Sequence, residues 1–135
     1  MAKKGKYWYG IGRATEGRFA LAATATEYDM SIFVAPCKCK VDQCLVVAED
    51  TITGANTNNF KYGFINKGAA GAGTDYIASV TFASGTNASP FDTIDLGAVA
   101  NNILEAGDVV SFVKKNNGTG MQAPACEATV VVVRV

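Results

Sequence analysis

From Arg18 to the last residue, strand-length runs of β-branched and aromatic residues alternate with short clusters of glycine, asparagine and serine. No stretch keeps the 3.6-residue period of an amphipathic helix. That rhythm restricts the chain to an all-β fold. RFALAATA (18–25), YDMSIFVA (28–35), KCKVDQCLVVA (38–48), FKYGFIN (60–66), YIASVTFA (76–83), DVVSFVK (108–114) and ATVVVVRV (128–135) read as strands, and FDTIDLGAV (91–99) as a weaker one. The total of about eight, at this spacing, suits a two-sheet sandwich or a closed barrel. Residues 18–25 and 28–35 flank Thr26-Glu27 and read either as a first hairpin or as one long bent strand. ANNILEAG (100–107) reads as one helical turn. A chain of 135 residues is one domain, long enough to bury a core without covalent staples.

The pattern within the runs assigns faces. Lys38 and Lys40 alternate with Cys39 and Val41, giving a wet and a dry side. In 76–83, Ile77 and Ser79 fall on one face and Ala78, Val80 and Phe82 on the other. Val130–Val133 has no polar alternation, which suits a strand covered on both sides, by loops or by a neighbouring subunit. Left bare, a low-charge valine strand invites aggregation.

Three of the four cysteines fall within PCKCKVDQC (36–44). Histidine is absent from the chain. A zinc site would therefore need Cys37, Cys39, Cys44 and Cys126 together, and C-x-C-x4-C lacks the C-x2-C knuckle that wraps an ion. Strand parity places Cys37 and Cys39 on one face and Cys44 on the other unless a bulge intervenes. Three states are open: four free thiols, one disulfide through Cys126, or zinc. Free thiols are the first expectation. If the first and last strands pair, Cys126 approaches Cys44 more closely than Cys37 or Cys39, and a bond there needs Cα atoms within roughly 7 Å.

Enzyme chemistry finds little to work with. The usual general base and commonest metal ligand are both missing. The acid pairs Glu49-Asp50, Asp92 with Asp95, and Glu105 with Asp108 lie beside turns, where acids are common, and are not read as a glycosidase acid and base. GAAGAG (68–73) is followed by strand-like TDYIASV rather than the helix a phosphate loop requires, so it reads as a hairpin loop. The sequons at Asn87 and Asn117 are assigned no role. No catalytic residue, metal or cofactor is expected. Twelve basic residues balance twelve acidic ones, so the body has no field to gather nucleic acid, and no segment approaches the roughly 20 apolar residues of a membrane helix. With no signal-peptide pattern at its start, the chain reads as made in a cytosol.

The opening segment MAKKGKYWYGIGR differs from the rest. Lys3, Lys4, Lys6, Arg13 and Arg18 outweigh Glu16, and Tyr7, Trp8 and Tyr9 stand in a row, with glycines at 5, 10, 12 and 17 opposing a helix. Two readings fit: a tail or first edge strand, and a docking arm that offers Lys3, Lys4, Lys6, Tyr7, Trp8, Tyr9 and Arg13 to a partner. We divide the chain into an extended arm at 1–17 and a sandwich at 18–135.

The phrases "SIFVAPCKCKVDQCLVVAEDTITGANTNNFKYGFINKG", "GTDYIASVTFASG" and "AGDVVSFVKKNNGTGMQAPACEATVVVV" come in an order that resembles the small jelly-roll proteins that decorate or cement tailed-phage capsids. The resemblance spans roughly residues 28 to 135 and transfers no individual residue. It implies a trimeric jelly-roll β-sandwich seated on a virion surface, held to the major capsid protein by an arm and by loops. The cysteines depart from that pattern. A second class is a carbohydrate- or receptor-binding jelly roll, which would present Tyr62, Tyr76 or Trp8 beside amides such as Asn56, Asn58 and Asn59.

Overall fold

The computed structural model describes residues 19–97 and 100–135. Nine strands follow in chain order: β1 Phe19–Leu21, β2 Tyr28–Val34, β3 Cys39–Ala48, β4 Asn59–Gly68, β5 Asp75–Thr81, β6 Thr93–Asp95, β7 Ile103–Leu104, β8 Val109–Asn117 and β9 Cys126–Arg134. One sheet runs β1-β9-β3-β6, with β7 also on β3, and the other runs β2-β8-β4-β5. β6 lies against Leu45–Val47 and β7 against Cys39 and Lys40, so the two short strands share one edge of β3 and each sheet is four strands wide.

The pairings are nested. β1 pairs β9, β2 pairs β8, β3 pairs β6 and β7, and β4 pairs β5, all antiparallel. A long hairpin folded on itself in this way, then joined by β3–β9 and β4–β8, is a jelly roll. The expected all-β sandwich is therefore the observed fold. Residues 18–25 and 28–35 form neither a hairpin nor one strand. β1 and β2 belong to different sheets, and the link between them crosses from one to the other, tied by a bridge between Thr24 and Ala123. The 100–107 segment is not helical: Ile103 and Leu104 pair with β3, and Leu104 is buried. Its apolar pair at the end of a polar loop gains more by closing the sheet edge than an isolated turn of helix gains.

Four bulges set the faces. The register of each ladder shifts by one residue, at Ile32 in β2, Asp42 in β3, Lys67 in β4 and Ile77 in β5. The bulge at Asp42 reverses the parity of β3. Cys39 and Val41 before it, and Cys44, Val46 and Ala48 after it, all face the core. The bulge at Ile77 likewise buries Ile77 and Ala78 side by side, where plain alternation assigns them to opposite faces.

The core between the sheets joins aromatic side chains of one to small side chains of the other. Phe60, Tyr62, Phe64 and Phe112 come from β4 and β8 and interlock with Phe82, their ring centroids 4.9–5.7 Å apart. Opposite them stand Cys39, Val41, Cys44, Val46, Cys126, Ala128, Val130 and Val132. Val131 and Val133 point the other way and are half-buried, so β9 is sealed on its inner face alone and is central in its sheet rather than fully enclosed.

Candidate functional site

The arm residues Lys3, Lys4, Lys6, Tyr7, Trp8, Tyr9 and Arg13 lie outside the described residues, as does the proposed boundary at residue 17. Within the sandwich, candidate chemistry concentrates at three places: the thiols, one buried lysine, and the loops at the two ends.

All four cysteines are free. Cys39, Cys44 and Cys126 are buried, while Cys37 precedes β3, in the link from β2, and is half-exposed. Register places Cys126 opposite Ala48 and Val130 opposite Cys44. Cys44 is thus the nearest of the three to Cys126, yet four residues of extended strand separate it from the facing position, beyond disulfide reach. Burial pushes the thiol of Cys39 up to about 11 and that of Cys44 up to about 12. Burial also raises Cys126, with the nearby Tyr62 and Tyr28 hydroxyls acting in the opposite sense. Such thiols are poor nucleophiles and pack as small apolar groups. Among the described residues no group of three or more histidine, cysteine or acidic side chains is arranged to hold a metal ion.

Lys114 is fully buried. Two-residue alternation from Val110 through Phe112 leads to it, a signal present in the sequence that the reading of 108–114 passed over. Its ammonium donates to Ala25 O at 3.0 Å and Asn116 Oδ1 at 2.7 Å and lies 5.2 Å from the Phe60 ring centroid. Burial lowers its pKa, with Glu27 acting in the opposite sense. Asn116 adds a bond from its amide nitrogen to Ala25 O, and its backbone N–H donates to Glu27 Oε2. Together these fasten the β1–β2 crossover to β8. Asn59, Asn117 and Asn58 are spent similarly: Asn117 Nδ2 donates to Asn59 Oδ1, Asn59 Nδ2 to Ala55 O, and Asn58 Oδ1 accepts from Thr119 N–H. The network is bracing, and it leaves little polar capacity for a ligand.

One acid of each pair caps a turn. Asp50 accepts from Thr51 N–H, Asp95 from Gly97 N–H and Asp108 from Glu105 N–H, each closing a turn. GAAGAG is the hairpin loop between β4 and β5, with Gly71 at φ +79°. The sugar-platform aromatics fare differently. Tyr62 is a core residue with no exposure. Tyr76 lies flat over Gly63, where a Cβ would stand 2.3 Å from the ring, and Lys61 Nζ covers it at 4.4 Å from the centroid.

The two ends of the sandwich differ. At one, the β2–β3, β4–β5 and β7–β8 links meet Arg134 and Val135. An open groove of about 550 Å³ runs there between the 67–73 and 101–108 loops, lined by Asn66, Lys67, Asn101, Asn102 and Ile103 among others. Its amides are engaged: Asn66 bonds Asn101 O, Asn101 bonds Tyr76 O and Asn102 bonds Val41 O. Val34 (56 % exposed), Ile103 (43 %) and Val135 (55 %) belong to this end. At the opposite end Phe91 is 70 % exposed at φ +64°, its N–H bonded to Ala48 O.

No family model matches the chain, and no curated protein matches it. Among solved structures, one of infectious bursal disease virus, Gx strain, is similar, with 15 % identity and a TM-score of 0.33 over 90 % of this chain and 30 % of that one. A likeness of that size carries no weight for function, and the jelly roll rests on the strand order itself.

Proposed function

We propose that this chain is a virion structural protein, a capsid decoration or cement protein that binds an assembled tailed-phage head and stabilises it. One observation carries the reading. The sandwich is a jelly roll in which Asn66, Asn101, Asn117 and the buried Lys114 are spent on bracing its own loops, which favours surface contact over a pocket as its means of recognition. The arm supplies the contact, with Lys3, Lys4, Lys6, Tyr7, Trp8, Tyr9 and Arg13 as anchors and the major capsid protein as partner. A homotrimer fits the outer face of the β9–β3 pair, where Leu45, Val47, Val131 and Val133 are aliphatic and only half-buried. No substrate, cofactor or nucleic acid enters this reading. The carbohydrate-binding alternative loses one of its three candidate rings with Tyr62 in the core.

Co-sedimentation of the purified chain with stripped heads tests the proposal. Deleting residues 1–15 is expected to abolish binding while leaving the thermal midpoint within a few degrees, because the described core survives intact. Failure of the truncated chain to fold would place the three rings in the core instead. Native mass is expected to be that of three chains, and a monodisperse monomer at micromolar concentration would remove the trimer.

A further inference from the structure

One dipeptide in the chain is fixed from two sides. Asn117 ends β8, and Gly118 opens the turn that Gly120 N–H closes by donating to Asn117 O at 2.9 Å. Gly118 stands at φ +63°, and a Cβ there would run into Asn58 Oδ1 and Thr57 O, so the position accepts glycine alone. Asn117 is equally specified. It faces Asn59 in the β4–β8 ladder, and its Nδ2 donates to Asn59 Oδ1 at 2.6 Å. Asn59 is 4 % exposed and spends its own Nδ2 on Ala55 O at 2.8 Å, so its Oδ1 needs a donor from across the ladder. The turn demands glycine and the ladder demands an amide. The result is the one Asn-Gly step in the sequence.

That step is chemically labile. Glycine has no Cβ to shield its amide nitrogen, which reaches the side-chain carbonyl of a preceding asparagine once the backbone turns to bring the two together. The extended backbone of β8 and the bond to Asn59 hold them apart. Asn117 is exposed and belongs to the last pair of its ladder, where local opening costs least. We propose that Asn117 is a self-modifying site, converted to aspartate and isoaspartate at a pace set by its bond to the Asn59 amide. Gly118 N bonds to Asn117 Cγ, the Cγ–Nδ2 bond breaks, and that nitrogen leaves as ammonia with the proton Gly118 gives up. Water then opens the five-membered imide, at Cγ to give aspartate or at the main-chain carbonyl to give isoaspartate. No oxidant or reductant takes part. Either product sets a carboxylate, which only accepts, against Asn59 Oδ1, another acceptor. Asn59 then turns its amide to meet the carboxylate and abandons Ala55 O, so the tie between the β3–β4 loop and the β8–β9 turn loosens. Isoaspartate also lengthens the main chain by one carbon inside the turn that Gly120 closes.

Peptide mapping of the full chain, aged in mildly alkaline buffer, tests the site. A gain of one dalton and isoaspartate are expected at 117 before any other asparagine is altered. Asn59→Ala is expected to quicken the conversion roughly fivefold, since it removes the bond that holds the Asn117 amide. The unaltered chain held in urea is expected to convert faster than the native chain, because there the backbone is free to turn. Asn117→Asp, which installs one product directly, is expected to lower the thermal midpoint by about 2–8 °C. An aged chain unmodified at 117, or modified first elsewhere, overturns the site. Equal rates in the native chain and in urea overturn the gate, a comparison that stands whether or not Asn59→Ala folds. A folded Asn59→Ala that converts at the unaltered rate overturns the role of Asn59, and an unchanged midpoint in Asn117→Asp overturns the loosening.

Discussion

The two sheets meet across one core but fill it with opposite materials. The β2-β8-β4-β5 sheet contributes rings, Tyr28, Tyr62, Phe60, Phe64 and Phe112, that touch edge to face or tilted. The β1-β9-β3-β6 sheet contributes three thiols with valines and alanines. A sandwich core has a fixed thickness, so large side chains on one wall require small ones on the other. The cysteines are small-wall residues. Tyr28 makes the meeting explicit, its hydroxyl 4.0 Å from the sulfur of Cys126. The contrast teaches that a cysteine-rich phrase can be a volume solution rather than a chemical one.

The comparison predicts unequal costs of truncation. Phe112→Ala, which removes a ring in contact with three others, is expected to cost about 3–5 kcal/mol and to show the largest fall in urea midpoint. Lys114→Met keeps the apolar stem but strips the donor from Ala25 O and Asn116 Oδ1, at an expected cost of about 1–3 kcal/mol in the same measurement. On the thiol wall, Cys44→Ala is expected to cost less than Phe112→Ala, and Cys44→Ser more than Cys44→Ala, because a hydroxyl there would be buried among apolar groups. Equal effects of serine and alanine would break the packing account of the cysteines.

The fold was legible in the sequence, and its wiring was not. Strand positions follow from β-branched runs and turn residues, and seven of the runs read from sequence overlap long strands or, for 18–25, the short β1. Faces were lost at Asp42 and Ile77, because a bulge depends on what the partner strand does and leaves no local mark. The 100–107 segment was misread for a related reason, since its strand state exists only through pairing with Cys39 and Lys40. Lys114 was legible by parity and was missed because lysine is read as solvent-facing by default. The apolar end was not legible at all: Val34 and Ile103 look like core residues until the topology brings their ends of the strands together.

The smallest expected effect separates the walls by pH. In the unfolded chain thiols ionise near 8.5, whereas burial holds Cys39 to about 11 and Cys44 to about 12. The folded state then binds more protons than the unfolded one above that point, so these groups stabilise the fold below about pH 8.5 and lose that contribution as pH rises through their folded values. Lys114 acts in reverse, since its lowered pKa makes the unfolded state the better proton binder until lysine titrates. Three raised thiols and the raised hydroxyls of Tyr28 and Tyr62 against one lowered amine give a thermal midpoint that falls from pH 8 to pH 11, and Cys44→Ala is expected to flatten that fall in part. A midpoint that rises over this range would mean that Lys114 dominates.

The nested pairing also fixes a schedule. β9, the strand joining β1 to β3 in its sheet, is the last of the nine to be synthesised, and the strand it closes on one side, β1, is the first. Until residues 126–134 emerge, β1 has no partner and the thiols and valines of β3 have no central neighbour. At about 5–20 residues per second, translation therefore delays closure of this sheet until β9 appears, by long-range contacts that are slow to form. A chain cut before residue 126 lacks the strand that joins β1 to β3, so the fold itself screens out products that stop short of β9.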